Sequence, residues 1–181
     1  MKAHRRVFAR KACLAVVGAL VLAVLLIGPV HAAELSEQEQ TDLLFIREEE
    51  KLARDVYQVL SASWGGRIFT NIARSEQNHM DAVKILLDRY ALDDPASSVP
   101  GVFTNQDLQA LYNQLVGAGS ASYVEALKVG IFIEKTDIGD LEAAMANTEQ
   151  FDIRTVYSNL SDGSRNHLDA FTSALAKRVA P

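Results

Sequence analysis

Residues 75–82 read Ser-Glu-Gln-Asn-His-Met-Asp-Ala, and their last five positions recur as Asn-His-Leu-Asp-Ala at 166–170. In the first copy, Glu76 and His79 are three residues apart, so on an α-helix they project from the same face. The chain has four histidines in all, and these two phrases contain His79 and His167. A scarce residue that is repeated in one helical context predicts a pair of metal ligands.

Helical periodicity dominates the rest of the sequence. Ser36 and Glu39 form a capping-box pattern, which predicts the start of a first helix that runs to about Ser61. The periodicity and the helix-breaking residues predict a second helix at about 69–90 and a short amphipathic piece at 105–116. They also predict a third long helix at 121–146 and a fourth at 151–177, with a bend in the fourth at Asp162-Gly163. No segment sustains period-two alternation, so we predict no sheet.

The lengths of the connections predict the topology. Few residues join the first long helix to the second, or the third to the fourth, so each pair should form an antiparallel hairpin. About 30 residues separate the second helix from the third, which is enough for one long crossover. Four long helices with a single long crossover between helices 2 and 3 make an all-α, ferritin-like four-helix bundle.

Several ionisable residues fall on or beside the apolar stripes of these helices when residues are placed at about 100° intervals. Glu76 and His79 lie inside the stripe of the second helix, and Glu134 lies inside the stripe of the third. His167 and Ser164 flank the stripe of the fourth. Several carboxylates and two imidazoles are therefore expected to point towards one core.

Buried carboxylates without partners are costly, so these groups need a cation between them. The nearby basic residues are expected mostly on outer faces, and they are Lys51, Arg54, Lys84 and Arg89. A pair of divalent metal ions would neutralise the carboxylates instead. Mixed carboxylate and imidazole ligands suit iron, manganese or zinc, and the single cysteine, Cys13, precedes the expected bundle.

The first helix offers three consecutive glutamates, Glu48–Glu50. A helical wheel places Glu49 nearest to the middle of the apolar stripe and Glu50 towards its edge, beside Tyr57. The wheel alone therefore favours Glu49 as the ligand from this helix.

The arrangement resembles the ferritin-like di-iron proteins, in which two helices each contribute a Glu and two contribute Glu-x-x-His. Glu76 and His79 match the second-helix motif in full, and Glu134 matches the single Glu of the third helix. The resemblance implies that Glu50 is the first-helix ligand, against the wheel. It also implies that Tyr57 corresponds to the neighbouring tyrosine of ferritins and rubrerythrins.

Four longer phrases narrow this resemblance, and they are Arg-Glu-Glu-Glu-Lys-Leu-Ala-Arg-Asp-Val-Tyr (47–57), Ser-Glu-Gln-Asn-His (75–79), Ile-Glu-Lys-Thr-Asp-Ile-Gly-Asp-Leu (133–141) and Gly-Ser-Arg-Asn-His-Leu (163–168). Together they are similar to the DUF2202 domain, a ferritin-like family of unknown function, over nearly the whole chain after residue 32. The resemblance implies the bundle strongly and an activity only weakly.

The fourth helix departs from the di-iron pattern, because Ser164 stands where the last motif would place a Glu. A serine hydroxyl is a poor metal ligand, so the second metal would lack a carboxylate. Asp137, one turn after Glu134, is the candidate substitute. Without it, the site would hold one tight and one weak metal ion, or one ion only.

The N-terminal residues 1–32 predict an export signal peptide, which leaves 33–181 as the bundle domain. Five basic residues lie within the first eleven, an uncharged run covers 12–30, and small residues follow at Ala32-Ala33. We expect cleavage after Ala32 and a periplasmic or secreted protein. A retained segment would instead anchor the protein in a membrane, since the apolar run approaches the ~20 residues that span a bilayer.

Removing this segment would leave thirteen Lys and Arg against 23 Asp and Glu, a formal net charge of −10. Such a surface disfavours nucleic acid as a partner and attracts cations. The sequence leaves the oligomeric state open.

The leading hypothesis from the sequence is an exported non-haem iron protein that acts as an oxidoreductase or a ferroxidase-type centre. Its partner would be a small-molecule oxidant, peroxide or dioxygen, or the metal ion itself. The residues expected to hold two ferrous ions are Glu76 and Glu134 as bridges and His79, His167 and Glu50 as terminal ligands. The alternative is a catalytically inactive binding or scaffold module without metal.

Single features also have plainer interpretations. Glu48–Glu50 alone is typical of a solvated charge run, and each histidine alone is typical of a hydrogen-bonded core residue. Tyr57 is typical of a core aromatic whose hydroxyl finds a partner. Ser164, after Asp162-Gly163, would help to restart the helix.

Overall fold

The computed structural model describes residues 34–179, and within that range all regular secondary structure is helical. The five helices are α1 (Glu37–Trp64), α2 (Arg67–Arg89), α3 (Gln106–Gly119), α4 (Tyr123–Ala146) and α5 (Phe151–Val179). The predicted all-α class is confirmed. The expected signal peptide and its cleavage site lie outside the described residues.

The first helix begins where its capping box predicts. The Ser36 hydroxyl accepts a hydrogen bond from the Glu39 backbone N–H at 3.2 Å, and the Glu39 carboxylate accepts one from the Ser36 N–H at 2.8 Å. The helix ends at Trp64, about a turn later than expected. It ends there because Gly65 and Gly66 both adopt positive φ, which glycine tolerates readily.

Helix α5 is unbroken through Asp162 and Gly163, where the sequence predicts a bend and a helix restart. Ser164 therefore lies in the interior of α5. It cannot serve as the cap of a restarted helix.

The four long helices pack as two hairpins, α1 with α2 and α4 with α5, and α3 lies on the crossover against α1 and α4. Helices α1 and α4 are bonded across the bundle at two levels, by Tyr57 to Glu134 and by Asn147 to Asp42. Between the two levels the residue number rises along α1, from 42 to 57, and falls along α4, from 147 to 134, so α1 and α4 are antiparallel. This arrangement agrees with the predicted bundle and its single long crossover.

A polar layer divides the core. One apolar cluster is built around residues such as Tyr57, Phe69 and Phe171, and a second around residues such as Leu43 and Leu86. Between these clusters, all four long helices bury ionisable side chains, and those with carboxylate or imidazole groups in this layer are Glu49, Glu50, Glu76, His79, Glu134, Asp137 and His167. All four helices that the periodicity predicts to carry ionisable residues towards the core therefore contribute to this layer.

Lys51 is fully buried, which contradicts the expectation that it lies on an outer face. Its ammonium group donates to the Asp55 carboxylate and to the Val99 carbonyl, and it lies 4.3 Å from the ring centroid of Phe103. The crossover covers this side of α1, which a wheel for one helix cannot foresee. Among the described residues the Lys51 ion pair is with Asp55, so Lys51 does not neutralise the polar layer.

The three consecutive glutamates of α1 are also buried, so the interpretation as a solvated run is wrong. Glu48 accepts hydrogen bonds from the backbone N–H groups of Thr104, at 2.6 Å, and Asn105, at 2.9 Å. It therefore holds the start of α3 against α1. Within residues 34–179, no helix is both long enough and apolar enough to cross a membrane.

Candidate metal centre

Five of the predicted ligands converge in the polar layer. Glu50 comes from α1, Glu76 and His79 from α2, Glu134 from α4 and His167 from α5. The three carboxylate residues are each 1% exposed and the two histidines 9%. The carboxylates therefore form the interior of the cluster, and the imidazoles form its edge nearest to solvent.

The first group of potential ligands contains Glu50, Glu76 and His79. His79 Nδ1 lies 2.8 Å from Glu76 Oε2 and 3.2 Å from Glu50 Oε2. One ligand atom from each of the three residues lies within 4.8 Å of the other two. Atoms that bind one metal ion at about 2.0–2.2 Å lie at most about 4.4 Å apart, and the two His79 contacts of 2.8 and 3.2 Å fall within that limit.

The second group contains Glu76, Glu134 and His167, with the same spacing limit of 4.8 Å. His167 Nδ1 lies 2.8 Å from Glu76 Oε1 and 3.4 Å from Glu134 Oε2. Glu76 thus faces His79 with one oxygen and His167 with the other. Glu76 belongs to both groups. Glu134, which the sequence also predicts to be a bridging ligand, belongs to the second group and not to the first.

Several atoms of this cluster have no hydrogen-bond partner among the described residues. They include Glu50 Oε1, and also Glu76 Oε1 and His167 Nδ1, which lie 2.8 Å apart but without the geometry of a hydrogen bond. Buried polar atoms without partners are rare because each one loses its bonds to water on folding. Buried oxygen and nitrogen atoms that converge without hydrogen-bond partners fit a bound cation, which would take the place of the imidazole protons.

The charges of the metal-free cluster are set by competition between burial and mutual contact. Burial disfavours ionisation of Glu76, but the close contacts with the imidazoles of His167 and His79 outweigh it and lower its pKa to about 2. Burial lowers the pKa of His79, and its contacts with Glu50 and Glu76 raise it to about 11. Burial likewise opposes the charge on His167, but Glu134 and Glu76 raise its pKa to about 9. Without metal, one carboxylate therefore lies between two imidazolium rings at neutral pH.

The two remaining carboxyl groups of the cluster hold their protons more tightly than usual. Burial, followed by the charge of Glu76, raises the pKa of Glu134 to about 8. Burial and then the charge of Asp137 raise the pKa of Glu50 well above its ordinary value. Metal ligands must be deprotonated, so metal would displace protons from this cluster.

Tyr57 lies beside the second group. Its hydroxyl donates to Glu134 Oε1 at 2.6 Å, while Glu134 Oε2 faces His167. Burial and the neighbouring Glu134 raise the Tyr57 pKa well above its ordinary value, so the phenol keeps its proton. Tyr57 therefore orients Glu134 as a hydrogen-bond donor.

Three further predicted residues lie outside the two groups. Glu49 and Asp137 are buried in the polar layer, and neither Asp137 oxygen accepts a hydrogen bond from a described residue. Ser164 donates to the Leu160 carbonyl one turn back in its own helix, at 3.0 Å. The structure therefore brings Glu50 into the cluster rather than Glu49, and it does not bring Asp137 or Ser164 into either group.

One residue that shapes the cluster, Gly163, is not among the site residues predicted from the sequence. Gly163 lies in the interior of α5, one turn before His167, and faces the His79 ring across the bundle. The available signal was a glycine inside a helix, since glycine weakens helices and its presence there calls for a packing reason.

Comparison with known proteins identifies the family of this chain. It is 52% identical over 142 residues to "Uncharacterized protein MJ0754" of Methanocaldococcus jannaschii, which covers 78% of this chain and 77% of that protein. The crystal structure of hypothetical protein MJ0754 from Methanococcus jannaschii is similar with a TM-score of 0.79 and 51% identity, over 80% of this chain and 83% of that chain. The family model described as "Uncharacterized protein domain (DUF2202)" matches residues 39–180. The resemblance seen in the sequence is confirmed, and the chain belongs to the DUF2202 family.

Proposed function

We propose that the polar layer binds two metal ions as a carboxylate-bridged centre. The observation that carries this proposal is the position of Glu76, whose two oxygens each lie 2.8 Å from a different histidine nitrogen. One ion would be held by Glu50, His79 and Glu76, and the other by Glu134, His167 and Glu76. Each ion would then have three protein ligands and positions left open for a small molecule.

The chemistry of the ligands favours iron. Imidazole and carboxylate groups bind iron, manganese and zinc, and the two groups contain no thiolate that would select a softer metal. Carboxylates also change between terminal and bridging modes, which suits a metal whose charge changes. We therefore propose iron as the physiological metal, with manganese and zinc as competitors.

We propose a redox activity, either with peroxide or dioxygen as the oxidant or in the oxidation of ferrous iron itself. When bound, a pair of ferrous ions would supply the two electrons that, with two protons, reduce one molecule of hydrogen peroxide to two of water. Glu76 would hold negative charge between the metal positions, and Tyr57 would keep Glu134 oriented through its hydrogen bond. The apolar clusters on both sides exclude bulk water.

We infer that this chemistry takes place outside the cytoplasm, because the first 32 residues have the pattern of an export signal. The net charge of −10 expected after cleavage would favour the approach of metal cations and disfavour nucleic acid.

A metal-free scaffold is the second candidate. It is favoured by Ser164, which occupies the place of a ligand and bonds to its own helix, and by the ion pairs that Glu76 makes with both imidazolium rings. In that case the cluster would specify the packing of four helices without binding a cation.

Metal analysis distinguishes the two candidates. Purified protein loaded with ferrous iron in anaerobic buffer is expected to retain about two irons per chain, the number that ferritin-like carboxylate centres hold. His79→Ala and His167→Ala should each lose iron, whereas Glu142→Gln, at an exposed position of α4, should keep it. Wild-type protein that retains no iron and shows no change in Tm with metal would favour the scaffold.

A further inference from the structure

Four aromatic rings connect the candidate metal centre with the protein surface. Tyr57 lies at the inner end, where its hydroxyl donates to Glu134 Oε1 at 2.6 Å. Its ring centroid is 6.4 Å from that of Phe69 and 5.2 Å from that of Phe171, and the centroids of these two phenylalanines are 5.6 Å apart. Phe69 in turn lies 5.9 Å from Tyr123. All of these separations are in the range of about 4.5–7 Å that is typical of aromatic rings in contact.

The two ends of this aromatic chain differ in exposure. Tyr57, like both phenylalanines, is completely buried, whereas Tyr123, the first residue of α4, is half-buried. The exposed Arg178 lies over the Tyr123 ring, 4.8 Å from its centroid. Small molecules in solvent can therefore reach Tyr123 but not Tyr57.

Of these four residues, the two tyrosines are the ones that are readily oxidised. Loss of one electron and of the phenol proton converts tyrosine to a neutral phenoxyl radical, whereas the ring of phenylalanine requires a much stronger oxidant. The Tyr57 phenol already has an acceptor for its proton in Glu134 Oε1. The Tyr57 and Tyr123 centroids are no farther apart than the two steps through Phe69 combined, a distance that an electron crosses directly through packed protein.

The candidate metal centre creates a need for such an electron. Hydrogen peroxide takes up two electrons and two protons when it is reduced to two molecules of water. Ser164 stands in the place of a ligand and bonds to the Leu160 carbonyl, and Asp137 lies outside both groups, so one metal ion is expected to bind more tightly than the other. With a single ferrous ion bound, one electron comes from iron, and peroxide that received no second electron would be released as a hydroxyl radical.

We propose that Tyr57 and Tyr123 supply this second electron in sequence and carry the oxidation to the surface. The proposal rests on the iron centre proposed above. In the first step peroxide receives one electron from ferrous iron and one from Tyr57, and two protons from solvent complete two molecules of water. Iron becomes ferric, Tyr57 becomes a phenoxyl radical, and its phenol proton moves to Glu134 Oε1.

In the second step Tyr123 donates one electron to the Tyr57 radical. The proton returns from Glu134 to Tyr57, and Tyr123 releases its own phenol proton to solvent. A one-electron reductant in solution, such as ascorbate, then returns an electron and a proton to Tyr123. The buried core is thus spared a lasting radical, because the oxidation ends at a ring that solvent reaches.

The test follows radicals in protein that holds one equivalent of iron. Anaerobic protein is loaded with one ferrous ion per chain, its bound iron is measured, and it is mixed with one equivalent of hydrogen peroxide. Electron paramagnetic resonance detects tyrosyl radicals, and a nitroso spin trap in solution, followed by peptide mass spectrometry, locates the radicals that solvent reaches. The wild type should form a radical that ascorbate removes quickly, and the trap should label Tyr123.

Two variants separate the steps. Tyr57→Phe should form no radical at either position, because Tyr123 is oxidised only through Tyr57. Tyr123→Phe should keep a radical at the buried Tyr57, which the nearby ferric ion broadens, which persists in ascorbate and which the trap does not label. The control is Tyr157→Phe, a buried tyrosine of the second apolar cluster that takes part in none of the ring contacts of the described residues, and it should behave as the wild type.

Iron-loaded wild type that forms no tyrosyl radical would overturn the relay and leave the metal centre standing. An undiminished radical in Tyr57→Phe at equal iron content would also overturn it. If Tyr57→Phe loses iron, Tyr123→Phe decides, and the same decay in ascorbate as in the wild type would exclude the relay. Wild type that binds no iron would overturn both proposals together.

Discussion

The imidazole of His79 lies directly against the backbone of Gly163. A Cβ atom built on Gly163 would be 2.7 Å from Nε2 and 2.9 Å from Cε1 of His79, which is closer than such atoms pack. The other ring nitrogen, Nδ1, faces Glu50 and Glu76. Glycine inside a helix is less favourable than alanine by about 1 kcal/mol. Gly163 therefore lowers the stability of α5, and its lack of a side chain leaves the space that the His79 ring occupies.

Replacing Gly163 by alanine should displace His79 and weaken metal binding in the group that contains it. We expect a loss of affinity of about 10- to 100-fold for one metal ion, as for other changes that misorient a ligand, and little change for the ion at His167. A metal titration that resolves the stoichiometry and the affinity of each binding step measures this effect.

The matched control for that substitution is Gly139→Ala in α4, where an added Cβ meets nothing within 4 Å. This variant should keep both metal ions and gain up to about 1 kcal/mol in the free energy of unfolding. If Gly163→Ala bound metal as well as Gly139→Ala does, the positioning role of Gly163 would be excluded.

Tyr57→Phe should destabilise the metal-free protein. The change removes the donor to Glu134 and leaves a buried carboxyl oxygen without that partner, a loss of about 1–3 kcal/mol in the free energy of unfolding. Urea denaturation in the presence of a chelator measures it. The control is Tyr157→Phe, because the buried Tyr157 hydroxyl has no partner among the described residues and its loss should be neutral or stabilising. Equal destabilisation by both substitutions would show that the Tyr57 hydrogen bond is not responsible.

The stability of the metal-free protein should fall as pH rises from about 5 to 9. Folding raises the pKa of His79 from 6.5 to about 11, that of Glu134 from 4.5 to about 8 and that of Asp137 from 3.8 to about 7. For each group burial is the largest influence. It raises the pKa of the two carboxyl groups and lowers that of His79, where the bonds to Glu50 and Glu76 outweigh it.

The folded protein therefore binds more protons than the unfolded chain in this pH range, and the free energy of unfolding decreases with pH. The stabilisation from His79 is complete below its unfolded pKa of 6.5 and disappears as pH rises through 11. Glu76 acts in the opposite sense, since its pKa is lowered from 4.5 to about 2 and its contribution disappears on acidification through that interval. Urea midpoints at pH 5 and pH 8, with chelator present, check the sign, and a higher midpoint at pH 8 would contradict it.

Metal affinity should change with pH in the direction opposite to metal-free stability. Metal would displace protons from His79, His167 and Glu134, all of which carry them at neutral pH without metal. The apparent affinity should therefore rise by up to about tenfold per pH unit for each proton released. Calorimetric titration with Zn²⁺ in two buffers of different ionisation enthalpy counts the protons. Binding without proton release would show that these pKa shifts do not govern the site.

Local patterns in the sequence are sufficient to predict where some helices begin and which residues share one helix face. The capping box at Ser36 and Glu39 predicts the start of α1, and the spacing of Glu76 and His79 predicts one face of α2, because both depend on residues within one turn of each other. The helical wheel favours Glu49 over Glu50, whereas the structure brings Glu50 into the cluster. Adjacent residues on a helix that is covered on several sides are both buried, and only the neighbouring helices decide what each one meets.

Lys51 is a second residue whose surroundings a single-helix wheel predicts wrongly. A single-helix wheel treats the side opposite the bundle core as solvent, whereas the crossover covers that side of α1 and buries Lys51 against Asp55 and Val99. Likewise, the packing of Gly163 against His79 joins residues 84 positions apart in the chain, and no local pattern specifies that contact.

The amino-acid sequence alone determined the helical class, the order of the long helices and the positions of Glu76, His79, Glu134 and His167 on or beside the apolar stripes, because periodicity and capping act over one or two turns. Tertiary structure decided that Glu76 faces both histidines, that Glu50 rather than Glu49 joins them and that Asp137 stays outside both groups. Those outcomes depend on the register between helices, which is set by contacts between residues distant in the chain.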